Sequence, residues 1–313
     1  MMKRFLATFG FLFGMLWSAD AFAQACTVNA TDMNFGTITG LAGATVDATA
    51  TFSTTCTAGQ DVLLCYHLGR GGGQGFGAGG RTLTNGGFTA TLELYSDAAR
   101  TQVWRTVTSV ANAQGTFPMI VPSGNNVTRS QTIYGRLTIG TGPPGTYSTP
   151  FTATTDDRVF ADYVNNIPAG NRNCTTAHAA QAGVGFNITA TIASYCDVTG
   201  GTLDFGTSGP IVTNLDVAGS INVGCTAGTN YAISLDDGQN ALTGQRRMTA
   251  GGNFIPYDLY TDAARSTMWR GAVTATATGT GTGATIPVYG RIPPQGAPPP
   301  GAYSDTIVVT VTY

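Results

Sequence analysis

The chain has 313 residues, 42% of them hydrophobic and only 10% charged, with 43 glycines and a formal net charge of -2. Ordinary globular domains carry roughly 25% charged residues and about 7% glycine. Helix surfaces draw heavily on Lys and Glu, and the chain holds a single lysine, Lys3, and a single glutamate, Glu93, which excludes a mostly helical protein. Scattered arginines at so low a net charge leave no electrostatic footprint for nucleic acid.

At the N-terminus, Lys3 and Arg4 precede an apolar run from Phe5 to Trp17, followed by Ala21-Phe22-Ala23-Gln24-Ala25. A positive start, a short apolar stretch and an A-x-A site predict a secretory signal peptide, cleaved after residue 23 or 25. The run is short for a bilayer span. Cys26 follows with no Leu upstream in lipobox position, so it reads as a disulfide cysteine of an exported chain. Cys26, Cys56, Cys65, Cys174, Cys196 and Cys225 all read as disulfide cysteines, and six allow fifteen connectivities.

An internal repeat narrows the choice. Asn34-Phe35-Gly36 returns as Asp204-Phe205-Gly206, and Cys56-Thr57-Ala58-Gly59 as Cys225-Thr226-Ala227-Gly228. Leu94-Tyr95-Ser96-Asp97-Ala98-Ala99-Arg100 with Trp104-Arg105 returns as Leu259-Tyr260-Thr261-Asp262-Ala263-Ala264-Arg265 with Trp269-Arg270. Tyr134-Gly135-Arg136 matches Tyr289-Gly290-Arg291, and Gly145-Thr146-Tyr147-Ser148 matches Gly301-Ala302-Tyr303-Ser304. The blocks keep their order, as two copies of one domain would. Cys26–Cys56 and Cys196–Cys225 flank the same landmarks in each copy and are expected to pair. Cys65 and Cys174 remain for a bridge peculiar to the first copy, Cys65 aligning with Ser234. Short β-type runs alternate with turn residues, as in a sandwich or barrel. The aspartates of both Asp-Ala-Ala-Arg segments suit a tight turn, and the shared tryptophans suit a core.

These blocks together resemble the spore coat protein U domain family, which also supplies the pilins of archaic (Csu-type) chaperone–usher pili. The second copy matches nearly end to end; the first carries insertions and has Thr149-Pro150 where the second has Asp305-Thr306. The resemblance implies an all-β fold of two tandem immunoglobulin-like pilin-type sandwiches, the second lacking its last strand. Such pilins receive that strand from a neighbouring subunit by β-strand addition. Implied partners are a periplasmic chaperone, an outer-membrane usher and an adjacent pilin subunit that donates a strand. The C-terminal run, with Ile307, Val309, Val311 and Tyr313 on one face, would be the handle for chaperone and fibre.

Between the copies, Val184, Phe186, Ile188, Ala190 and Ile192 alternate strictly with small or polar residues, as in a half-buried strand. In pilins of this class such a strand, placed before the first cysteine, is donated to the next subunit. Here it is expected to complete the first domain, residues 24–192, within the chain, leaving 193–313 as an incomplete domain. After signal cleavage only Gln24 and Ala25 precede Cys26, so no strand is left to donate. A subunit that accepts a strand but donates none stands at a fibre tip, where the two-domain subunits of such pili are adhesins. The competing reading is an ordinary linker strand between two complete domains.

Binding is expected in the first domain's departures from the repeat. Phe117, Met119, Ile120 and Val121 sit in a longer connection, Val159, Phe160 and Tyr163 in a second insertion, and Phe76 in a glycine-rich loop. Exposed, these would form hydrophobic fingers for abiotic or greasy surfaces, since apolar burial is non-directional. Phe117–Val121 reads equally as a core strand, and the second insertion as packing beneath a Cys65–Cys174 bridge. A lectin site around Asn85, Tyr95, Asp97 and Trp104 ranks lower, because the second copy repeats most of it. A coat or matrix protein is the alternative from another class. His67 and His178 stand apart, no CxxC pair or nucleophile motif occurs, and Gly71-Gly72-Gly73-Gln74-Gly75 lacks a Walker lysine. Neither enzyme activity nor a metal or other cofactor is expected.

Overall fold

The structure, a computed structural model, describes residues 26–56, 62–72, 80–104, 119–121, 127–151, 159–165 and 180–313, with the backbone alone at 62–67, 119–121, 127, 159–165 and 180–182. The signal peptide, Phe76, Phe117 and Cys174 lie outside the described residues, and so does the side chain of Cys65.

The described residues form strands, turns and irregular segments, with no helix among them. The first copy contains β1 (Cys26–Ala30), β2 (Met33–Ile38), β3 (Thr45–Cys56), β4 (Val62–Leu68), β5 (Arg81–Asn85), β6 (Phe88–Tyr95) and β7 (Met119–Val121). It continues with β8 (Val127–Thr138), β9 (Gly145–Phe151), β10 (Val159–Asn165), β11 (Ala180–Val184) and β12 (Phe186–Ile192). The second has β13 (Cys196–Thr199), β14 (Leu215–Cys225), β15 (Asn230–Leu235), β16 (Arg247–Ala250), β17 (Asn253–Pro256), β18 (Asp258–Tyr260), β19 (Ala275–Thr278), β20 (Gly283–Ile292) and β21 (Val309–Thr312). Alternation of apolar and small polar residues drives the strands: in β3, Ala50, Phe52, Thr54 and Cys56 are buried while Thr51, Ser53 and Thr55 between them are not.

The first copy has one sheet in the order β1-β3-β8-β6-β5-β9-β12-β2 and a second in the order β11-β10-β4-β7. The second copy repeats part of each, as β13-β14-β20-β18 and β19-β15-β21, with β16-β17 as a hairpin. Each copy has its own apolar core, with Trp104 buried in one and Trp269 in the other. Cys26–Cys56 and Cys196–Cys225 are bonded as expected, each pair directly opposite across β1–β3 or β13–β14.

Strand pairing bears on four expectations. Val159, Phe160 and Tyr163 are not in an inserted loop but in β10, paired on both sides by β4 and β11. Val159 lies opposite Leu68 as Val309 lies opposite Leu235, so β10 is the first copy's counterpart of β21. A β-branched and aromatic run favours a strand, and the insertion lies before it, at 152–158. The same register makes Ala232, not Ser234, the counterpart of Cys65. Met119, Ile120 and Val121 likewise form an edge strand, β7, against β4. Finally, Val184 ends β11 in the smaller sheet; Gly185 breaks the run, and only Phe186–Ile192 forms β12 in the larger one.

Candidate functional site

The two copies differ most at one slot. In the first, β12 runs antiparallel to β9 and parallel to β2, bridging them. Its inward side chains Phe186, Ile188, Ala190 and Ile192 are at most 3% exposed. Phe186 stacks on Phe151 at 4.6 Å between centroids and meets Phe52 edge-on at 5.6 Å. Burying a large apolar side chain stabilises by roughly 1.5–3 kcal/mol. Phe186, Ile188 and Ile192 together therefore contribute an amount comparable to a whole domain's net stability of about 5–15 kcal/mol. This core does not close without β12.

In the second copy the walls of the slot are present. Asp204 Oδ1 accepts the Gly206 N–H at 2.8 Å, as Asn34 Oδ1 accepts that of Gly36 at 2.7 Å, shaping the counterpart of β2. The Tyr303 hydroxyl donates to the Pro299 carbonyl at 2.8 Å, as Tyr147 does to Pro143, fixing the counterpart of β9. Among the described residues no strand runs between them. A cleft of about 510 Å³ opens there, lined by Leu203, Phe205, Met248, Tyr257, Tyr303, Asp305, Ile307 and Val309 among others. Met33, Phe35 and Tyr147 are buried in the first copy, while their counterparts Leu203, Phe205 and Tyr303 are half-exposed.

One part of the cleft is polar. Asp305 Oδ1 accepts from the Gln239 N–H at 3.1 Å and Asn240 Nδ2 at 3.0 Å, and Oδ2 accepts the Tyr257 hydroxyl at 2.9 Å. Burial, reinforced by that hydrogen bond, pushes the Tyr257 hydroxyl far above its ordinary range, so it remains a donor. The first copy has Thr149 and Leu92 at these positions.

The C-terminal run keeps its expected alternation, Ile307, Val309 and Val311 being half-buried, but β21 spans only Val309–Thr312, at the edge of its sheet beside β15. Tyr313 lies beyond the strand and is 57% exposed.

The repeated motif itself is scaffold. Asp97 caps the N–H groups of Thr101 and Gln102, and Asp262 those of Ser266 and Thr267. The forks Arg136–Asp47 and Arg291–Asp216 tie neighbouring strands, with Arg100 and Arg265 alongside. With Trp104 buried and Asp97 engaged in its turn, the lectin reading loses two of its residues. Sequence reasoning missed Arg81 and Arg246, both buried. Arg81 donates to the carbonyls of Leu68, Gly69 and Trp104, and Arg246 to those of Leu235, Asp236 and Trp269. Their signal was an arginine at the corresponding place in both copies.

The fold class is thus a tandem pair of immunoglobulin-like β-sandwiches. The chain belongs to the Spore Coat Protein U domain family, whose model matches residues 13–154 and 183–310. Protein U of Myxococcus xanthus is 34% identical over 157 residues, covering 44% of this chain and 88% of that protein. Among solved structures, the CsuC–CsuE chaperone–tip adhesion subunit pre-assembly complex from archaic chaperone–usher Csu pili of Acinetobacter baumannii aligns with a TM-score of 0.51. That match has 18% identity and covers 92% of this chain and 100% of the other.

Proposed function

We propose that the chain is the tip adhesin of an archaic chaperone–usher pilus. In this reading it is exported through the periplasm to the cell surface, where it mediates attachment and biofilm formation. One observation carries the reading: the slot filled by β12 in the first copy is open in the second. A sandwich that buries its core only when an extra strand is supplied must receive one, first from a periplasmic chaperone and then, at an usher, from an adjacent pilin. The strand of the kind pilins donate is used here inside residues 24–192, which supports a terminal place in the fibre. Residues 193–313 form the anchoring domain and the first domain faces outward. There the Phe76 and Phe117 segments and the edge strand β7 are the candidates for contact with a hydrophobic or abiotic surface.

Immunogold labelling of fibres assembled from this chain, its chaperone, usher and pilins tests the placement. Label confined to fibre ends is expected. Label spaced along the shaft, or chain secreted without any fibre, would favour the coat or matrix role that the family's description suggests.

A further inference from the structure

We infer that Asp305 and Tyr257 select which strand the open cleft accepts, favouring one with a hydroxyl or amide side chain opposite Asp305 over one with a large aliphatic there. The inference rests on the reading of the cleft as a strand-acceptor site and adds the chemistry of the occupant: an extended segment of another polypeptide.

The register comes from the first copy. Opposite β9, Phe186 pairs with Phe151, Ile188 with Thr149, Ala190 with Tyr147 and Ile192 with Gly145. Carried to the second copy, the occupant's corresponding residues face Ile307, Asp305, Tyr303 and Gly301. A bulky apolar residue suits Ile307, and a small one leaves room for the Tyr303 ring. At the second position the copies diverge. Ile188 is the cross-strand neighbour of buried Thr149, whose hydroxyl has no hydrogen-bond partner among the described residues. A neutral hydroxyl tolerates such a neighbour; a carboxylate does so at much greater cost. Asp305 is half-exposed in the open cleft and has three donors. A carboxylate offers about four acceptor sites. An isoleucine laid across it would strip water from the remaining acceptor capacity, whereas Thr, Ser or Asn would supply a donor. The chain's own β12 sequence is therefore a poor fit for the second domain of another copy, which disfavours strand exchange between copies.

Two synthetic peptides test this on the full-length chain: residues 184–193 as they stand, and the same segment carrying Ile188→Thr. Affinity is read by fluorescence anisotropy, and hydrogen exchange at residues 301–309 reports binding in the cleft. The Ile188→Thr peptide is expected to bind about tenfold more tightly, the worth of one buried polar group left unpaired. In a chain carrying Asp305→Thr and Tyr257→Leu the preference should vanish or reverse; Asp305→Asn, nearly isosteric, should reduce it and serves should the double variant not fold. Equal affinity of the two peptides for the natural chain, or a preference unchanged in the variants, overturns the selection by Asp305. Absence of exchange protection with both peptides overturns the acceptor reading itself, and the selection with it.

Discussion

At the scale of single residues, the most informative positions are Arg100 and Arg265, non-glycine residues held at φ 55° and 57°. A left-handed conformation costs an ordinary side chain roughly 1–2 kcal/mol. The surroundings hold it there in both copies. The N–H of each arginine donates to the carbonyl of the turn aspartate, at 3.0 Å, while the aspartate's carboxylate caps the next two N–H groups. Arg265 also reaches the carbonyls of Val217 and Gly290. The caps have a pH signature. The N–H of Gln102, foremost, holds Asp97 below the usual carboxylate range, and that of Ser266 does the same for Asp262. The Arg136 and Arg291 hydrogen bonds do likewise for Asp47 and Asp216. Folded values below the unfolded value of about 3.9 mean the stabilisation is complete above it and lost as pH falls through the folded values. Melting temperature should therefore hardly depend on these groups above about pH 5 and drop below about pH 4. A chain carrying Asp97→Asn and Asp262→Asn should melt lower at pH 7 and show a shallower acid decline. An acid limb identical to the natural one would contradict this role.

At the scale of elements, β12 separates a closed sandwich from an open one. Ile188 is fully buried and Ile307, beside the open slot, is half-buried. Ile188→Ala should cost about 2–5 kcal/mol, the range for truncating a buried aliphatic. Ile307→Ala should cost well under half of that in the free chain and rise toward it once a strand peptide occupies the cleft. Denaturant midpoints with and without peptide measure both; equal costs in the free chain would mean the cleft is already closed. The strand was legible beforehand because Phe186, Ile188, Ala190 and Ile192 alternate at the period a half-buried strand requires. The duplication, read from aligned blocks, also gave the two described disulfides. Less legible were β7 and β10, because sequence spacing treats an insertion as a loop. Only the pairing of Val159 with Leu68 identifies β10 with β21. The Tyr257–Asp305 bond joins residues 48 positions apart, and no local pattern announces it.

At the scale of the molecule, the proposed role would pass tension from the second domain to the first, so the join between them matters. It is short and held at both ends. The Ala193 N–H donates to the Ile38 carbonyl at 2.9 Å, and the Tyr195 carbonyl accepts the Thr226 N–H at 2.9 Å. Away from the linker, the Ala42 N–H donates to the Gly281 carbonyl at 3.2 Å. Glycines make the close approach feasible there. A Cβ on Gly224 would lie 2.5 Å from Leu41 Cδ1, and one on Gly281, where φ is +86°, would lie 3.1 Å from the Thr141 Cα. Contacts at several points, beyond a single tether, limit swivelling, whereas a flexible linker of a few residues would leave relative motion as the default. Spin labels on the two domains, measured by double electron–electron resonance, should therefore give one narrow distance distribution. Inserting Gly-Ser-Gly-Ser between Ser194 and Tyr195 should broaden it while leaving melting almost unchanged, because neither core is touched. A distribution in the natural chain as broad as in the insertion variant would show that these contacts do not hold the domains together, and tension would then pass through the linker backbone alone.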